Sequence, residues 1–388
     1  MDQEEIKKNS TELMHMLIQG TVALSTIQGV ELGFFDWIPL DKAVSAQELS
    51  GQMGFDISKV ERWLRFAAAN GYVTRTDAGY TLTAKGSLIR QGTPTPDLLG
   101  LHHMFSYLTK AVQYSREAYQ KCVGLDSITQ GKISRDYIPK VASQLSRTAA
   151  EFFKWSGLSM GHTILDLGCG DGSVLRETVK VCPGISAKGI DLNIHTLELA
   201  KKKNSDAGLQ DQIDLQVGDV TDLSRIKDGA VDWVYAINVF HFLPVNKREQ
   251  LIREMIRVSR YGVFFNQVTA NNIQTLAVDV LCATLFSDYT GFFTGAEADE
   301  MISHIGNIKH ISFLPIIQGE SRLVVLYTSK NDVPLSRIGA VTETSLAKLS
   351  TAGIHTAKDL LSAGIESTAR LGIDANVLRK AAIKTLFP

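Results

Sequence analysis

Residues 162–330 alternate short apolar runs with helical stretches, and that alternation restricts the fold more than any other feature. The runs are His162–Leu167, Ala187–Asp191, Ile213–Val217, Val231–Ile237, Tyr261–Val268 and Arg322–Thr328. Strands separated by helices pair in parallel, because each return along the sheet needs a crossover. Right-handed crossovers then build a doubly wound α/β sheet. The first run leads into Asp166-Leu167-Gly168-Cys169-Gly170-Asp171-Gly172, and a helix is expected from about Ser173. Glycines between a strand and a helix allow a tight turn and a close approach of ligand to backbone.

The glycines follow a Gly-x-Gly-x-Gly spacing. A dinucleotide site has Gly-x-Gly-x-x-Gly and places a pyrophosphate at the positive end of a helix. The acids at the strand ends indicate a different ligand. Asp166, closing the first strand, suits an amino group or a water bound to one. Asp191, closing the second, suits ribose hydroxyls. Asp219, in Gly218-Asp219-Val220 after the third, suits the exocyclic amine of adenine. One acid at a strand end is commonplace. Three, at consecutive strands behind one glycine loop, describe a nucleoside site.

Asp166–Gly172 matches in full the Asp/Glu-x-Gly-x-Gly-x-Gly motif of class I methyltransferases, and the chain resembles that family. Their cofactor, S-adenosylmethionine, has an α-amino group and a carboxylate but no phosphate, as the acids require. The N-terminal region extends the resemblance. Leu13, Met16, Leu17, Val22, Leu24, Ile27 and Val30 recur at helical spacing. Ser45-Ala46-Gln47-Glu48 is a capping box opening a short helix that Gly51 and Gly54 close. Asp56 caps a second helix running to Asn70-Gly71. Tyr72–Arg75 and Tyr80–Thr83, around Asp77-Ala78-Gly79, form a hairpin. Helix, helix and hairpin make a winged helix. A winged helix followed by this core is similar to the plant and bacterial small-molecule O-methyltransferases, over residues 10–330.

The resemblance implies a homodimer built by the leading helices and winged helix. It implies cofactor contacts from Asp166, Gly168, Cys169, Gly170, Asp191, Leu192, Gly218, Asp219, Val220 and Asn238. The expected segments are a winged-helix dimerisation domain at 1–95, connecting helices at 96–158, a Rossmann-like cofactor domain at 159–330 and a tail at 333–388. The expected activity is methyl transfer to a small aromatic or apolar metabolite, at oxygen by preference, in secondary metabolism. Transfer to carbon or nitrogen of an already nucleophilic substrate is the alternative. Non-methyl chemistry on the same fold is another, and a DNA-binding regulator a further one.

His241, in Asn238-Val239-Phe240-His241-Phe242 after the fourth strand, falls where the O-methyltransferases carry a general base. Histidine suits that role because its pKa lies near working pH. It could equally be a pocket wall that hydrogen-bonds the substrate, or a structural residue. The family orients its base with two acids, and the corresponding places hold Asn266-Gln267 and the stretch near Phe292-Phe293. Met104, Phe105, Tyr107, Phe240, Phe242, Phe286, Tyr289 and Phe292 are expected to line an apolar pocket, though aromatics at such spacing are often core. His102 and His103, adjacent in sequence, point to different helix faces and do not suggest a metal site.

Residues 333–388 resemble a helix-hairpin-helix module with the usual Gly-hydrophobic-Gly replaced by Ala340-Val341-Thr342. Without those glycines the hairpin is a poor anion site. Seven Lys/Arg against four acids make this tail only mildly basic. It reads as a docking or packing module. The whole chain carries a net charge of −1, which gives no general attraction to nucleic acid or anionic membrane. No apolar run of membrane-spanning length and no secretory signal pattern occurs, and four scattered cysteines lack zinc spacing. A cytoplasmic protein without a metal is expected.

Overall fold

The computed structural model describes residues 3–90, 108–114, 116–117, 120, 146–270, 273–294, 296–297, 300–301, 305, 308–313, 321–328, 332–363, 368 and 370–386. The chain divides into two units, Met1–Lys121 and Cys122–Pro388. His102, His103, Met104, Phe105 and Tyr107 lie outside the described residues.

In the first unit a helix runs from Gln3 to Glu31, and Gly33 turns the chain into a short helix, Phe34–Trp37. The helix Ala46–Met53 opens with the expected capping box: Glu48 N donates to Ser45 Oγ (3.1 Å) and Ser45 N to Glu48 Oε2 (2.8 Å). It runs past Gly51 and ends at Gly54. Asp56 caps Ile57–Ala69 by accepting from Lys59 N at 3.0 Å. The antiparallel strands β1 (Val73–Thr76) and β2 (Gly79–Leu82) complete the winged helix. Val60, Leu64 and Ala67, spaced by helical turns, are buried on one face. Trp63 stacks on Phe34 with ring centres 4.3 Å apart, and its Nε1 donates to Ser25 O at 3.0 Å. The indole thereby fastens the long helix to the winged helix.

The second unit holds a seven-stranded sheet. Its strands are β3 (Thr163–Leu167), β4 (Ser186–Asp191), β5 (Ile213–Val217), β6 (Val231–Ala236), β7 (Ser259–Val268), β8 (Ile308–Phe313) and β9 (Ser321–Tyr327). Their spatial order is β5-β4-β3-β6-β7-β9-β8. The pairs β5-β4, β4-β3, β3-β6 and β6-β7 are parallel, and β9 runs antiparallel to both β7 and β8. Every residue of β6 is buried, as a strand covered on both faces requires. The six expected strands all form, with ends shifted by one or two residues. The strand β8 was not anticipated. Its Ile-Lys-His-Ile-Ser-Phe sequence interleaves polar residues irregularly, and among the described residues it pairs with β9 at the edge of the sheet.

The aromatic centre of this unit stacks across the sheet. Phe153, on a helix at 146–156, lies 4.7 Å from Tyr235 and 4.6 Å from Phe264. Residues beyond 332 pack into the same core. Leu335, Leu349, Leu361 and Leu378 are buried in one cluster with Phe153, Trp233 and Phe264. Among the described residues the tail includes a single turn, Leu335–Arg337, and the helices Glu343–Thr351, Ala357–Ser362 and Ala375–Leu386. Thr342 does not open an anion-binding hairpin: its hydroxyl caps the first helix through Ser345 N at 3.2 Å. Arg379 reaches under the sheet, with its guanidinium carbon 3.3 Å from the centre of the Trp155 ring. Among the described residues no helix is long and apolar enough to cross a membrane, and no group of three His, Cys, Asp or Glu could hold a metal ion.

Candidate active site

The sheet runs outward in two directions from β3, so its carboxyl edge opens a crevice beside that strand. The glycine loop lies there. Gly168 and Cys169 both donate to Ile190 O, at 2.7 and 3.1 Å, which ties the loop to β4. Gly168 has φ +72°, and a Cβ there would meet Val239 Cγ2 at 2.5 Å. Gly170 has φ +53° and nothing within 4 Å of where its Cβ would stand, so this part of the loop faces open space.

Asp191 has a second task that its ribose assignment did not include. Its Oδ2 accepts from Gly170 N (2.8 Å) and its Oδ1 from Asn193 N (2.8 Å), so the carboxylate holds the loop that it also adjoins. Burial raises its pKa, and the two N–H groups oppose that rise. Leu192 beside it is 73% exposed, an apolar surface at the crevice. Asp219 is exposed, and its Oδ1 is already engaged by Thr221 N and Oγ1, both at 2.8 Å. Asp166 is 2% exposed, and burial raises its carboxyl well above the usual carboxylate range. Cys169 is buried against Gly189, with its thiol also pushed up by burial. Gly218 and Val220 are half-buried on either side of Asp219. Open backbone at Gly170, a half-buried acid, an exposed acid and an exposed leucine suit a nucleoside with an amine.

Sequence reasoning missed the anchor of this loop. Asp171 is buried and accepts from Ser173 Oγ at 2.6 Å and from Lys203 Nζ, with Arg176 Nη2 at 3.7 Å. This network binds the loop to the two helices that follow β3 and β4. An acid inside a glycine loop was the available signal.

Asn238, two residues past β6, is the only non-glycine residue with positive φ among those described (φ 59°). Buried Asn266, at the end of β7, explains how that conformation is kept. Its Oδ1 accepts from Asn238 N and its Nδ2 donates to Asn238 Oδ1. Asn266 occupies a place where an orienting acid was expected. It orients the turn that carries His241 instead of the imidazole.

His241 sits on a single helical turn, Phe240–Phe242. Its ring is half-buried, with centres of Phe242, Tyr289 and Phe292 at 4.6, 5.7 and 5.6 Å. Burial in this aromatic shell and, after it, the Arg248 charge lower its pKa to about 3, against the opposing charge of Asp279. Phe242, Tyr289 and Phe292 are therefore brought together around the histidine. Phe240 is 2% exposed and packs on Phe265 (5.3 Å) and Phe293 (5.8 Å), which puts it in the core behind the turn. Phe286 is buried edge-on to Phe242 at 5.8 Å. Arg248 and Asp279 carried no sequence signal, because nothing in their own helices marks them as neighbours of His241.

Residues 164–262 match the family model described as a methyltransferase domain. The chain is 30% identical to methyltransferase GfsG of Streptomyces halstedii over 129 residues, 32% of this chain and 44% of that protein. It spans less than half the length of the curated relatives it matches. Solved structures are similar over far more of the chain. An O-methyltransferase family protein from Burkholderia thailandensis has TM-score 0.67 at 16% identity, covering 82% of this chain and 98% of that one. CalO1, a methyltransferase of calicheamicin biosynthesis solved with S-adenosylhomocysteine, has TM-score 0.64 at 18% identity, covering 84% and 98%. The second unit thus has the class I methyltransferase fold, and residues 164–262 within it match the methyltransferase-domain model. The chain shares its fold with both of these structures.

Proposed function

We propose that this chain transfers a methyl group from S-adenosylmethionine to a small aromatic or apolar metabolite, at oxygen by preference, in secondary metabolism. The observation that carries the reading is the bond from Gly170 N to Asp191 at the crevice, which joins an open glycine loop to a ribose-binding acid. The cofactor supplies an electrophilic methyl group on a sulfonium. Asp166 would hold its amino end, Gly168 and Gly170 its backbone contact, Asp191 the ribose, Asp219 the adenine amine and Leu192 one face of the base. Cys169, Gly218, Val220 and Asn238 would complete that wall. In-line displacement depends on positioning, and the aromatic residues around His241 would orient a planar acceptor and exclude water. Isothermal titration with S-adenosylhomocysteine tests the reading. Micromolar binding is expected, and no binding at millimolar ligand would end it.

His241 stays neutral across pH 5–8, because its pKa lies near 3. It can accept a hydrogen bond from an acceptor hydroxyl, yet it is a weak base for a phenol of pKa about 10. That observation favours a second reading, transfer to carbon, nitrogen or an already ionised oxygen. His241→Ala separates the two. Proton removal by His241 predicts a loss of on the order of a hundredfold in kcat, while an already nucleophilic acceptor predicts a loss of only about threefold.

A cytoplasmic homodimer fits the exposed helix of the first unit. Leu13, Met16, Leu17 and Leu24 are each at least 60% exposed, an apolar patch of a kind that partners cover. Sedimentation is expected to give twice the chain mass of 42.5 kDa, and Leu17→Lys to give one chain mass. A wild-type monomer at micromolar concentration would contradict the dimer.

A further inference from the structure

The residues around His241 are held by a segment that the proposed function leaves without a role. Residues 286–293 form a strap between the Ile273–Leu285 helix and the turn carrying the histidine. Thr290 N and Oγ1 donate to His241 O at 2.8 and 3.1 Å, and Phe293 N donates to Val268 O at 3.1 Å. Arg248, 2% exposed, grips the strap by donating to Gly291 O at 2.6 Å and Thr290 Oγ1 at 3.1 Å. On the helix side Phe286 N donates to Cys282 O at 3.0 Å, and Asp279 supplies a side-chain anchor. A single oxygen, Oδ1, accepts from the Tyr289 hydroxyl at 2.7 Å and from Phe292 N at 2.9 Å.

Those two residues are the ones whose rings flank His241. Among the described residues, no hydrogen bond fixes either ring nitrogen of the histidine. Its orientation therefore depends on the walls, and the walls depend on Asp279. We propose that Asp279 is a positioning residue of the acceptor site, which sets the His241 ring by clamping Tyr289 and Phe292. It takes the place of the orienting acids that the sequence lacks, but acts on the aromatic walls and not on the imidazole. Its relevance to methyl transfer rests on the reading of His241 as facing the acceptor.

The test uses the full chain loaded with S-adenosylhomocysteine, with Asp279→Ala, Asp279→Asn and Tyr289→Phe. Asn keeps an Oδ1 acceptor for both donors, whereas Ala removes it. Asp279→Ala is expected to shift the Cε1–H proton resonance of His241 and to speed amide exchange at 290–293 by about tenfold, as loss of one net hydrogen bond does. Asp279→Asn is expected to restore both, and S-adenosylhomocysteine affinity to change less than about twofold in all three. Tyr289→Phe, which removes only one bond, is expected to shift the resonance even if the Ala variant fails to fold. An unmoved His241 resonance in Tyr289→Phe, or no rescue by Asn, overturns the proposal. Failure of the wild type to bind S-adenosylhomocysteine sinks the functional reading alone and leaves the strap measurements interpretable.

Discussion

A chain ending at residue 332 is expected not to fold its methyltransferase unit. Leu335, Leu349, Leu360, Leu361, Leu378 and Leu386 are all buried in the core shared with Trp233 and Phe264. Full burial of one leucine is worth about 2 kcal/mol, so the six together match the roughly 5–15 kcal/mol by which whole domains are stable. Truncation also removes the entropy cost of ordering the tail. The deciding quantity is thus the apolar face left behind, which includes Trp155, now stacked under Arg379, and Tyr327, whose hydroxyl donates to Ser156 O at 2.9 Å. Uncovering that face should give aggregated protein, or a chain without a cooperative thermal transition. Arg379→Ala is the milder form. It removes the ring contact and the bond to Leu361 O (2.7 Å), and should cost about 3 kcal/mol. A soluble 1–332 fragment melting within about 5 °C of the full chain would show the tail to be dispensable; for a unit this size that shift is only about 2 kcal/mol.

The second large effect is expected at Gly168. Gly168→Ala would force an L side chain into the left-handed region, at about 1–2 kcal/mol, and drive its Cβ into Val239 Cγ2 at 2.5 Å. Overpacking adds about 1–3 kcal/mol. The sum lowers Tm by on the order of 10 °C. Relief requires the loop to move, which would pull Gly168 N from Ile190 O and misplace Gly170 relative to Asp191. Binding of S-adenosylhomocysteine should fall by about a hundredfold or more, which is about 2.7 kcal/mol. Gly170→Ala separates conformation from packing, since no atom lies within 4 Å of its Cβ position. It should cost only about 1 kcal/mol of stability, yet still obstruct the ligand. Equal melting temperatures for the two variants would refute the packing argument.

The glycine loop and the strands were legible in the sequence because they depend on local rules. An apolar run followed by close-set glycines has few other conformations, and Ser45 and Asp56 cap helices through backbone atoms only three residues away. The acids at the carboxyl edge of the sheet were legible for a related reason. Asp166 and Asp191 close their strands, and strand ends in a parallel sheet all reach one edge.

The histidine site was legible only in part. The place of His241 just after β6 could be read from the chain, but the residues that pack around it come from elsewhere. Asp279 lies on the Ile273–Leu285 helix and Arg248 on the Val245–Val258 helix. Their sequence neighbours say nothing of the strap between them. Phe240 and Phe242 show the same limit: one residue apart on the same turn, one is core and the other flanks the imidazole.

By itself the sequence determined a parallel α/β core, a winged helix ahead of it and a glycine loop at the sheet edge. These follow from periodicity, capping and backbone freedom, which act over a few residues. Tertiary structure alone decided that Asn266 holds Asn238, that Asp279 and Arg248 grip the strap around His241, and that the tail shares the core of the sheet. Those contacts join residues tens to hundreds of positions apart. Only the folded chain brings them within hydrogen-bond distance, and only burial in it draws the His241 pKa down to about 3.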